Sequence, residues 1–82
     1  MYFNRLSKKE QSNYKFIRNW VRSINRKRGP FWKLEGLFSV GAVKISKKIG
    51  NIDCGFRIIP LNYTRQQIKT LLFVLQENYK IL

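Results

Sequence analysis

Four cations recur about one per helical turn in the first third of this chain, at Lys15, Arg18, Arg22 and Arg26, and the run Arg26-Lys27-Arg28 closes the series. Charged heads at that spacing share one face of a helix, where they meet a ladder of phosphates rather than a single anion. Further cations stand at Lys33, Lys47, Lys48 and Arg57. Ten of the 17 Lys and Arg residues fall in the first 33 positions against one acid, so that third carries +9 of a total of +13. Solvated helix faces usually mix the two signs, and the missing acids favour phosphate binding. Aromatic rings accompany the cations. Phe31 and Trp32 follow the Gly29-Pro30 break, between Arg28 and Lys33, and are candidate platforms for stacked bases. Trp20 and Tyr63 offer rings as well, but Trp20 falls on the apolar arc of its helix and is expected in the core.

Composition removes most other chemistry. The chain has no histidine, so a Ser-His-Asp triad, a Cys-His pair and an imidazole metal ligand are all excluded. Its one cysteine, Cys54, cannot form an internal disulfide and is expected as inert core. The four acids, Glu10, Glu35, Asp53 and Glu77, are scattered, so no metal site and no cofactor are expected. What remains is a non-catalytic module for a polyanion, because such a charge density repels itself until phosphates neutralise it.

Eighty-two residues make one small domain with a modest core. At 44% hydrophobic and 15% aromatic the chain is too apolar for a disordered basic tail. No apolar run nears the roughly 18 residues of a membrane span. The start, Met-Tyr-Phe-Asn-Arg, has neither a secretory h-region nor the pattern of an import peptide. Ile, Asn, Lys, Phe, Tyr and Met supply 37 of 82 residues while alanine occurs once, a bias towards A/T-rich codons. A mitochondrial gene product is expected on that basis, with a plastid, or a bacterial or phage-infected cytoplasm, as alternatives.

The elements that must position these groups read as an α+β fold: helix, β-hairpin, helix, in a small two-layer domain. Residues 1–28 form a basic amphipathic helix and residues 29–82 a hairpin plus C-terminal helix. Ser7-Lys8-Lys9-Glu10 has the form of a capping box, and Tyr14, Phe16, Ile17, Trp20, Val21 and Ile24 make one apolar arc behind it. Phe31 to Gly36 reads as a helical turn or connector. Leu37 to Ile45 and Ile52 to Ile59 read as the two strands, joined by a loop through Lys47 and Lys48. On the second strand Ile52, Cys54, Phe56 and Ile58 are expected on the core face, with Arg57 on the open one. Thr64-Arg65-Gln66-Gln67 opens the last helix, whose stripe is Ile68, Leu71, Leu72 and Leu75. A lone hairpin is marginal, and a partner is expected along at least one of its edges.

The stretch Phe31-Trp32-Lys33-Leu34-Glu35-Gly36-Leu37-Phe38-Ser39-Val40, with the later Phe56-Arg57-Ile58 and Leu-rich helix, resembles the repeat of LAGLIDADG homing endonucleases over about residues 29–80. The resemblance implies that Glu35 stands where the family places its metal-binding catalytic acid, and that Ser39 and Arg57 lie on a saddle contacting nucleic acid. The pattern is degenerate: Arg28-Gly29-Pro30 interrupts the motif helix, Lys33 stands where an acid is common, and the chain stops before the repeat's second hairpin. A single acid does not complete a two-metal site. The double-stranded-RNA-binding domain, which also runs helix, sheet, helix, is set aside because it needs three strands and a Lys-rich start to its last helix.

The resulting expectation is a non-catalytic RNA-binding structural protein, an rRNA-binding subunit of an organellar ribosome. Its partners would be rRNA and neighbouring ribosomal proteins, with no membrane and no small-molecule substrate. The alternatives are a LAGLIDADG-type fragment or half acting on duplex DNA through Glu35, and a phage-encoded regulator or inhibitor.

Overall fold

The computed structural model describes residues 2–28, 32–50 and 52–78. Its elements are a short 3-10 turn at Tyr2–Arg5, helix α1 (Lys8–Arg28), strand β1 (Trp32–Leu37), a 3-10 turn at Phe38–Val40, strands β2 (Ala42–Ile49) and β3 (Ile52–Pro60), and helix α2 (Arg65–Asn78). The fold is α+β, two helices with a three-stranded antiparallel sheet in the order β1-β2-β3.

Both helices begin where their capping residues stand. Glu10 N–H donates to Ser7 Oγ at 3.2 Å, and Ser7 N–H donates back to Glu10 Oε1 at 3.0 Å. Thr64 and Gln67 repeat the exchange at 3.1 and 3.0 Å. Each box satisfies backbone donors that a first helical turn leaves without partners.

The sheet departs from the expected hairpin. The pattern of Phe31–Gly36 predicts a turn or connector, yet Trp32–Leu37 is a strand, paired to β2 from Trp32↔Lys47 to Leu37↔Ala42. The strand expected over Leu37–Ile45 is broken at Phe38–Val40. Two glycines explain the break. Gly41 takes φ 68, which reverses the chain into β2. A Cβ on Gly36 would lie 2.5 Å from the Phe38 ring, so only glycine lets that ring fold back over β1. Phe38 then packs edge-on against Phe3 and Tyr14, with ring centroids 5.4 and 5.0 Å away. The reversal makes the expected connector, as β1, and the second half of the expected strand, as the start of β2, the two arms of a further hairpin. Lys47 and Lys48 accordingly lie within β2, not in a loop.

One side of the sheet carries the core. Val43, Ile45 and Ile59 are fully buried there against Ile17 and Val21 of α1 and Ile68, Leu72 and Leu75 of α2. The faces of β3 are the reverse of the expectation. Ile59 pairs with Val43 and Arg57 with Ile45 on the helix side, whereas Phe56 and Ile58 face away. The Cys54 side chain lies outside the described residues.

Two side-chain amides, buried Asn13 and half-buried Asn25, tie the layers together. Asn13 Nδ2 donates to the carbonyls of Leu61 and Tyr63, both at 2.8 Å, and Asn13 Oδ1 accepts from Arg65 Nε at 3.1 Å. Asn25 exchanges two bonds with the Trp32 backbone at 2.9 and 3.0 Å, holding the start of β1 against α1. Among the described residues no helix is long and apolar enough to cross a membrane.

Candidate nucleic-acid interface

The basic row of α1 survives folding with one change. Lys15, Arg22 and Arg26 are exposed on the side away from Ile17 and Val21, and Lys27 is exposed on the flank between that side and the apolar arc. Lys15, Arg22 and Arg26 lie within a narrow arc and span about 16 Å along the axis at 1.5 Å per residue. Arg18 differs from them. It is half-buried, its guanidinium carbon sits 6.0 Å from the Tyr14 ring centroid, and its Nε is buried without a hydrogen-bond partner. A cation laid on a ring in this way is less able to swing out to a phosphate. The Arg28 side chain and Phe31 lie outside the described residues.

The remaining candidates divide between the two sides of the sheet. Lys33 and Lys48 are exposed on the open side, and Lys44, isolated in the sequence from the basic runs, stands half-buried on that same side of β2. Lys47 points the other way. It is 9% exposed, with its ammonium 5.5 Å from the Trp32 ring centroid, so it covers the core edge instead of facing a ligand. Arg57 is exposed, but it shares the side of Ile45 and not the open face expected for it. Trp32 is 8% exposed and packs edge-on to Trp20 with ring centroids 6.0 Å apart. It is therefore core, and no base can stack on it. Ser39 sits in the 3-10 turn, apart from Arg57.

Glu35 occupies the middle of β1, exposed and directly opposite Lys44. Its nearest charged company along the strand and across it is basic. Among the described residues no three His, Cys, Asp or Glu side chains gather in a group that could hold a metal ion.

The open side also carries apolar groups that the sequence pattern assigns to the core. Phe56 is 60% exposed and Ile58 49%. Phe56 pairs across to Ser46 of β2, which pairs in turn with Lys33 of β1. Lys44 Nζ lies 4.6 Å from the Phe56 ring centroid. Together these residues line a shallow groove of about 450 Å³, bounded by Lys33, Glu35, Lys44, Ser46, Lys48 and Phe56. The alternation that brings them together is visible in the sequence. The adjacent pair Ile58-Ile59 leaves its phase open, and burial of Ile59 with Leu61 fixes it.

Two of the surfaces so built can meet phosphates: the outer face of α1 and the lysine-edged open face of the sheet. Arg65, at the start of α2, adds to neither. It is engaged internally, bonded to Asn13 and Ser12 with its guanidinium carbon 4.4 Å from the Phe16 ring centroid. The three-strand sheet removes one of the two grounds for setting aside a double-stranded-RNA-binding arrangement, and the poverty of lysine at the start of α2 keeps the other. No family model, no curated protein and no solved structure matches the chain.

Proposed function

We propose that this chain is a non-catalytic RNA-binding protein that takes its place in a ribonucleoprotein particle, the ribosome being the particle its size and charge fit. The observation that carries the reading is the exposed row Lys15, Arg22 and Arg26 on α1, with Lys27 exposed to one side of it and Glu10 the one acid of that helix. Cations at this spacing lower the cost of bringing the chain up to a polyanion and release its counterions. The setting of Glu35 supports a binding role over strand cleavage, because a carboxylate opposite Lys44 and on a strand with Lys33 is surrounded by cations. The small core of an 82-residue chain supports a protein that gains stability from its partner.

The test is binding of structured RNA as a function of salt. Reversal of Lys15, Arg22 and Arg26 to Glu is expected to abolish tight binding and to flatten the log-log salt dependence by about 0.7–0.9 for each phosphate no longer neutralised. Unchanged affinity and slope would show that α1 is not the phosphate-tracking face. Co-sedimentation of the native protein with a ribosomal subunit identifies the particle, and persistence of its partners after nuclease treatment would instead mark a protein-binding regulator.

A further inference from the structure

We infer that the open face of the sheet is a site for unpaired nucleotides, with one base stacked on Phe56 and the flanking phosphates held by Lys33, Lys44 and Lys48; the inference rests on the RNA-binding reading and names the form of RNA this face takes. Phe56 stands in the interior of β3, where its ring is presented by a paired strand and not by a loop, yet 60% of the residue faces solvent. An aromatic ring left in water on a rigid surface, ringed by cations, is the composition of a stacking platform for single strands. Lys44 is already placed at 4.6 Å from the ring centroid, so a base entering over the ring meets an ammonium beside it. Ser46 lies between Phe56 and Lys33 in the register, and its hydroxyl can donate to or accept from a base edge. Ile58 extends the apolar surface along the same strand, next to the ring.

Charge and shape separate this ligand from the two other occupants such a surface could take. A duplex keeps its base faces stacked on one another, so it can offer the lysines phosphates but leaves the Phe56 ring unused. A protein partner would have to bury three lysines at the centre of its contact, and the centres of protein interfaces are depleted in lysine. An unpaired segment uses both components, with bases for the ring and phosphates for the cations. Glu35 biases the path of the strand, because its carboxylate, directly opposite Lys44, repels phosphates from the β1 side of that lysine.

The experiment compares a single-stranded oligoribonucleotide of about ten residues with a duplex of the same length, by fluorescence anisotropy at one salt concentration. Phe56→Ala is expected to weaken single-strand binding about 10-fold and to leave duplex binding within about twofold. Phe56→Leu, which keeps apolar area but lacks a π face, is expected to match the alanine variant, and Phe56→Trp to retain affinity. Phe73→Ala, an exposed ring on the outer side of α2, serves as the control and is expected to bind as wild type. If Phe56→Ala and Phe56→Leu bind the single strand as tightly as wild type, the site assignment is overturned while the α1 reading stands. If the wild-type protein binds neither RNA, both fall together. Loss of protein capture, with RNA binding intact in the Phe56 variants, would assign the face to a protein and likewise overturn the inference.

Discussion

The same three strands present two unlike surfaces. On the helix side Val43, Ile45 and Ile59 are fully buried and packed against α1 and α2. On the other side Phe56 and Ile58 sit in the open among Lys33, Lys44 and Lys48. Both sides carry large apolar side chains, and the difference lies in what flanks them. Apolar groups surrounded by other apolar groups exclude water and hold the fold together. Apolar groups surrounded by lysines do not assemble a core, since burying those ammoniums would cost more than the contact returns. Hydrophobicity along a strand thus locates a surface for burial, and its neighbours decide whether the chain or a ligand does the burying.

Three stability measurements bear on that contrast, all by urea unfolding at equilibrium. The largest effect is expected for Ile59→Ala, about 2–5 kcal/mol, because it opens a cavity at the centre of the covered side, whereas Ile58→Ala one position earlier is expected to cost under about 1 kcal/mol. Equal losses at the two positions would erase the distinction between the sides. Next comes Asn13→Ala, expected to cost about 1–3 kcal/mol, since the carbonyls of Leu61 and Tyr63 and the Arg65 guanidinium are all deprived of a partner. An Asn13→Ala protein of wild-type stability would mean that water replaces the amide and that packing alone joins α1 to the β3–α2 connection. The smallest effect is expected for Phe56→Ala, within about 0.5 kcal/mol of wild type, which separates a ring kept for a ligand from one kept for the fold. A loss as large as that at Ile59 would place Phe56 in the core after all.

Much of the framework was legible because its signals are local. Ser7 with Glu10 and Thr64 with Gln67 mark helix starts through side chains that reach only three residues, and both boxes form as expected. The apolar repeat from Tyr14 to Ile24 predicts both the extent of α1 and the side on which its cations stand. The sheet was less legible. Trp32–Leu37 alternates apolar and polar residues over its first four positions, but Lys33, Glu35 and Gly36 are poor strand formers, and it becomes a strand by pairing with β2 and by the bonds from Asn25 to Trp32. The candidate site suffered most where phase mattered. Lys47 reads as part of a loop, Arg57 as open-face from the alternation of its strand and Trp32 as a ring freed by the Gly29-Pro30 break, and the register turns each of them towards the helix side.

Residue identity, together with bonds that reach only a few positions, suffices for the charge, its concentration on the first helix, the absence of imidazole chemistry and the two capped helices. The third strand, the side of the sheet on which each lysine stands, and the exposure of Phe56 come only with the assembled fold. They depend on strand register and on which of two adjacent isoleucines the helices bury. A shift of one residue exchanges every inward and outward side chain on a strand, and no local preference is strong enough to choose between the two phases.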